Sequence, residues 1–215
     1  MTSRLSLSTP SVATGDALLD LIMREGQSQN AATDFASALV LFRACHRLSS
    51  KVEARISAAN MLLKLGRVGE ALAEYDAMLE GPQPLSAKAD EIVRRKREEA
   101  RVATEGATDR YPSIKYPLSA ELKEALMRGA QAANASADFE RARALFTLSA
   151  ACFGRVEASI SAANMSLKLG ERARAASEYE LILAIGGLPP TEGGYPEGLG
   201  EENRAVVARK LLEAP

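Results

Sequence analysis

Apolar side chains recur three and four positions apart along most of this chain. Val52, Ile56, Ala59 and Leu63 do so, and so do Ala71, Tyr75, Met78 and Leu79. That spacing places them on one face of a 3.6-residue helix. No segment sustains period-two alternation, so essentially no sheet is expected. Punctuation residues mark the helix ends. Asp34 and Asp138 are positioned as N-caps, and Ser50-Lys51-Val52-Glu53 has the form of a capping box. Gly66 suits a left-handed helix stop, and Gly81-Pro82 closes the next helix. Further helices are expected over about residues 86–104 and 201–213.

The pattern is duplicated. VEARISAANMLLKLG, starting at Val52, returns as VEASISAANMSLKLG, starting at Val156, with 13 of 15 positions identical at an offset of 104. The same offset pairs Met23-Arg24 with Met127-Arg128, Gln27 with Gln131, Asp34-Phe35 with Asp138-Phe139, and Glu74-Tyr75 with Glu178-Tyr179. A shorter period lies inside each copy. Ala38 and Phe42 precede Ala71 and Tyr75 by 33 positions, and Ala142 and Phe146 precede Ala175 and Tyr179 by the same 33. A small residue one helical turn before an aromatic lets a neighbouring helix approach while the ring fills the space beside it. Each copy therefore reads as two helical hairpins followed by one extra helix.

This divides the chain into a tail over 1–15, a first half over 16–104, a linker over 105–118 and a second half over 119–215. The linker holds Tyr111-Pro112 and Tyr116-Pro117, pairs that favour extended backbone. The Gly- and Pro-rich stretch over 186–200 reads as a mobile surface loop, with a binding loop as the second reading.

The hairpins resemble tetratricopeptide repeats. Ala58-Ala59, Leu62, Gly66, Ala71 and Tyr75 fit that family's pattern, as do Ala162-Ala163, Ala175 and Tyr179. The resemblance covers residues 19–84 and 123–185, with a period one short of the usual and no tryptophan in the family's tryptophan slot. It implies an all-α, right-handed α-solenoid of two homologous halves. It also implies a concave face, lined by the first helix of each hairpin, that holds a peptide or partner helix. Members that bind chaperone tails use a set of Lys, Asn and Arg positions. Met23, Ser57 and Glu124 stand in three of those slots here, so that specialised role is not expected.

On that implied face each hairpin carries an amide at one equivalent position: Gln27, Asn60, Gln131 and Asn164. A side-chain amide both donates and accepts, and so can hold a peptide backbone whatever its sequence. Arg24 and Arg128 stand one turn before the glutamines, and Lys64 and Lys168 one turn after the asparagines. Together these eight residues suggest a groove for an extended and acidic segment or a terminal carboxylate. The competing reading is a solvated polar face with no ligand.

Composition narrows the function classes. The 215 residues are 47% apolar and 26% charged, and 27 basic side chains against 28 acidic ones leave a net charge of −1. That balance opposes coating of nucleic acid or an anionic membrane. The apolar runs are too short to span a bilayer. Cys45 and Cys152 form no framework and read as core residues. His46, the single histidine, has no partners that would make a zinc site or a nucleophile elbow. Arg94-Arg95-Lys96-Arg97 lies among Asp90, Glu91, Glu98 and Glu99 and reads as a salt-bridged helix face. No catalytic, cofactor or metal motif is present, so the expected function is non-catalytic: a scaffold, adaptor or assembly factor for another protein. A pentatricopeptide-like RNA reader and a structural subunit of a larger complex are the alternatives. The expected setting is the cytoplasm, with a plastid or mitochondrion as second reading from the Ser/Thr-rich start, MTSRLSLSTPSVATG.

Overall fold

The computed structural model describes residues 15–82, 84–102, 118–189 and 194–214. The expected tail, apart from Gly15, and the expected linker, apart from Leu118, lie outside them. Among the described residues the chain is all-helical. The first copy forms α1 (Gly15–Ala31), α2 (Phe35–Ser49), α3 (Val52–Lys64), α4 (Val68–Leu79) and α5 (Ala87–Val102). The second forms α6 (Ala120–Ala135), α7 (Phe139–Phe153), α8 (Val156–Lys168), α9 (Arg172–Gly186) and α10 (Glu201–Glu213). Consecutive helices pack in each copy, giving two hairpins and a closing helix.

The expected small-aromatic pairs are core residues. Ala38, Ala71, Ala142, Ala175, Tyr75 and Tyr179 are fully buried, and Phe42 and Phe146 nearly so. Gly66 and Gly170 stop α3 and α8 with φ of 76° and 78°, a conformation that costs glycine nothing. Asp34 and Asp138 accept hydrogen bonds from the N–H groups of Ser37 and Arg141. The two caps are not equal. Asp34 is buried and also accepts from the Ser37 hydroxyl at 2.8 Å, whereas Asp138 is exposed. Asp34→Ala is therefore expected to cost about 2 kcal/mol and Asp138→Ala about 1 kcal/mol, read from urea melts followed by helical circular dichroism.

One expectation is corrected. Ser50 does not open a capping box. It lies in the left-handed region at φ 56° and ends α2, with its N–H donating to the His46 carbonyl at 2.7 Å. The N-cap of α3 is Lys51, which makes no side-chain cap. In the described parts of 186–200, Leu188, Pro189, Pro196 and Glu197 are exposed while two side chains turn inward. Tyr195 and Leu199 are buried in the core of α8, α9 and α10; Leu199 lies on the Gly186 backbone and Pro196 on Gly154. Two large apolar side chains in a Gly/Pro-rich stretch thus find an apolar surface within reach.

Among the described residues three cores hold the fold together. One is built from α2 to α5 and another from α8 to α10 with Tyr195 and Leu199. The third joins the copies. It combines Leu18, Ile22, Leu41 and Cys45 with Leu122, Leu126, Leu145 and Leu148. Here α1 packs on α6 and α2 on α7. Leu18, early in α1, meets Gly129, late in α6, where a Cβ would lie 2.8 Å from Leu18 Cδ2. Glu25, late in α1, accepts a hydrogen bond from the Ser119 N–H just before α6. The two helices thus run antiparallel, each copy offering the same element to the other. This is the geometry of an isologous interface, built within one chain.

Candidate functional site

The first helices of the hairpins, α1 and α3 in one copy and α6 and α8 in the other, carry all eight residues expected to bind. Asn60 and Asn164 are half-buried, and each is held by a tyrosine from the following helix. Tyr75 Oη donates to Asn60 Oδ1 at 2.8 Å, and Tyr179 Oη to Asn164 Oδ1 at 2.8 Å. Burial raises the pKa of both phenols, with Glu99 adding for Tyr75 and Glu213 and Glu178 for Tyr179, which reaches about 12. Both hydroxyls therefore stay protonated and remain donors. With Oδ1 occupied, each amide keeps its two N–H donors for another acceptor.

One turn further on, Lys64 Nζ donates to Asn30 Oδ1 at 2.8 Å and lies 4.9 Å from the centre of the Phe35 ring. Lys168 repeats the arrangement with Asn134 at 2.7 Å and Phe139 at 4.9 Å. An exposed cation–π contact contributes about 0.5–1 kcal/mol, enough to bias the ammonium toward one place. In the second copy Asn134, Asn164 and Lys168 line a cleft of about 540 Å³, together with Lys210 and Glu213 of α10. Its walls come from α6, α8 and α10, with Phe146 of α7 at its floor.

The other four residues stand apart from that cleft. Gln27 and Gln131 are exposed on α1 and α6. Arg24 reaches Glu121 of the other copy at 4.0 Å, and Arg128 pairs with Glu124 on its own helix at 3.5 Å. All four of these charged side chains are about 70% exposed, so their pairs are weak and easily exchanged for another anion. Sequence reasoning misses Asn30, Asn134, Lys210 and Glu213, and it reads Tyr75 and Tyr179 only as space-filling rings. Asn30 and Asn134 obey the 104-residue offset, a signal that is present in the chain.

The charge run on α5 is salt-bridged along its helix, with Arg94 on Asp90 at 2.7 Å and Lys96 on Glu99, whereas Arg97 is half-buried and pairs with Asp76 of α4. His46 is half-buried, its Nδ1 3.1 Å from the Lys51 carbonyl. Among the described residues no group of three His, Cys, Asp or Glu could hold a metal ion, and no helix is long and apolar enough to cross a membrane.

The fold and this face define a class: an all-α protein of stacked helical hairpins in two homologous copies. No family model matches the chain, and no curated protein does. Among solved structures, a thermophilic TPR protein of Thermus thermophilus is similar over 90% of this chain and 99% of its own, at 16% identity and a TM-score of 0.33.

Proposed function

We propose that this chain is a tetratricopeptide-type interaction protein with no chemistry of its own, serving as a scaffold, adaptor or assembly factor. It holds an extended segment of another protein on the face of α6, α8 and α10, and on the equivalent face of α1, α3 and α5. The observation that carries this reading is the twofold occurrence of one preorganised unit: an amide fixed by a buried tyrosine, beside a lysine fixed by an asparagine and a ring. A solvated face has no use for donors held in place from below. A peptide ligand does, because each group ordered in advance is one that binding need not order. The amide N–H groups would take backbone carbonyls, and the lysines a carboxylate.

The test is an array of extended peptides probed with the full chain. Asn60→Ala with Asn164→Ala, and separately Lys64→Ala with Lys168→Ala, are each expected to weaken the bound peptides by about tenfold. The lysine pair strands no buried group, so its loss of binding reads the site and not the fold. A peptide set bound equally by both double variants and the parent chain would overturn the reading.

A further inference from the structure

Mainly on the second helices of the hairpins, the junction between the copies gathers arginines. The end of α2 meets the start of α7 around a cleft of about 510 Å³ lined by Arg47, Arg141, Arg143 and Arg174. A second cleft, of about 480 Å³, continues from it and is lined by Arg43, Arg47 and Arg55. Arg47 belongs to both, so the two form one strip with six guanidinium groups. Three carboxylates share the lining: Asp138, Glu140 and Glu74.

Four of the arginines are partnered. Arg55 meets Glu74 at 3.0 Å and Arg43 meets Glu70 at 3.8 Å. Arg174 meets Glu178 at 2.9 Å, and Arg143 pairs with Glu171. Arg47 and Arg141 have no carboxylate partner among the described residues. Arg141 also stands in the first turn of α7, where the aligned peptide dipoles favour anions and a cation works against the helix.

The duplication sharpens the point. At the 104-residue offset Arg47, Arg141, Arg143 and Arg174 correspond to Ala151, Ser37, Leu39 and Glu70. None has a cationic counterpart. The internal pseudo-twofold should produce two like surfaces, and only one of them has become basic. Packing does not require this, since the other copy folds the same elements without those charges.

We propose that this strip is a docking site for an acidic, extended segment of a partner protein, distinct from the face of α6, α8 and α10. A guanidinium fork matches a carboxylate in bidentate geometry. Two adjoining clefts suit several carboxylates spaced along a chain better than one small anion. The interleaved Asp138, Glu140 and Glu74 interrupt the positive surface, which disfavours the continuous phosphate backbone of RNA and leaves room for a segment whose charges are discrete.

The experiment uses the full chain, a fluorescent oligoglutamate peptide and a single-stranded oligouridylate, titrated at low and at moderate salt. The peptide is expected to bind in a salt-sensitive way and more tightly than the RNA. Arg47→Ala with Arg141→Ala is expected to weaken it at least about tenfold, with the thermal melt unchanged because neither side chain holds a partner in the fold. Asn60→Ala with Asn164→Ala disables the groove and removes only the groove's share of the binding; the share that Arg47→Ala with Arg141→Ala abolishes should persist in it, so failure here and failure of the peptide groove are separate outcomes. No peptide binding at low salt, equal binding by the arginine double variant, or tighter binding of the oligouridylate would each overturn the proposal.

Discussion

Ile22→Ala is expected to raise amide hydrogen exchange in α6 and α7 as much as in α1 and α2, although the residue lies in the first copy. Ile22 and its repeat counterpart Leu126 are both fully buried in the core that joins the copies. Removing a buried Ile or Leu side chain down to Cβ costs about 2–5 kcal/mol, a range set by how far the cavity can collapse. Collapse is restricted here because the opposing surfaces are two antiparallel helices already at close range, with Leu18 against the Gly129 backbone. The loss falls on both copies, since the atoms that lose contact belong to both. Leu126→Ala should give the mirror result, raising exchange in α1 and α2. Exchange followed by mass spectrometry, helix by helix, distinguishes this from independent copies. Were the halves separate folding units, Ile22→Ala would leave α6 to α10 protected as before, and two unfolding transitions would appear in urea.

The helices are legible because their signals are local. A 3.6-residue apolar period, Asp34 and Asp138 before their helices, and Gly66 and Gly170 after theirs all act within a few residues. Where two local signals compete, sequence reading goes astray. Ser50 can cap the helix ahead or terminate the helix behind, and the short link between α2 and α3 requires the second. The two inward side chains of 186–200 go unseen in the sequence for a different reason. Gly and Pro density reports backbone freedom, while the position of Tyr195 and Leu199 is set by an apolar surface distant in sequence. The junction between copies gives no signal of its own. Leu18, Ile22, Leu122 and Leu126 look like any buried helix face, and nothing in a sequence says which helix covers them.

The candidate site divides along the same line. The amide and lysine positions follow from the repeat and the resemblance. Their partners do not, because the Tyr75 hydroxyl meets Asn60 15 positions away and Lys64 meets Asn30 34 positions away. These pairings turn a row of polar residues into an oriented set. The arginine strip is less legible still. Its members come from α2, α3, α7 and α9, and each looks like an ordinary surface cation until the junction brings them side by side.

The protein is expected to lose several kcal/mol of stability between pH 9 and pH 12, well before arginine deprotonates. Four groups with ordinary values in the thiol and phenol range are displaced upward in the fold. Burial raises Cys152 to about 12, with Glu25 from the other copy adding to it, and burial raises Cys45 as well. Tyr179 is raised to about 12 and Tyr75 is raised also. Each of these groups is neutral when protonated, and the unfolded chain ionises first. Their contributions are therefore complete below the unfolded values, near pH 9 for the thiols and pH 10 for the phenols, and are lost as pH climbs through the folded ones. One unit of displacement corresponds to about 1.4 kcal/mol, so Tyr179 alone accounts for about 2–3 kcal/mol of the loss. Urea melts at stepped pH measure it. Tyr179→Phe should flatten the profile above pH 10 while costing about 1–2 kcal/mol at neutral pH, because Asn164 Oδ1 loses its donor. Cys152→Ser should flatten the profile from pH 9 upward, since a serine hydroxyl does not ionise in that range. A profile unchanged by both substitutions would mean that these buried groups are not what alkali attacks.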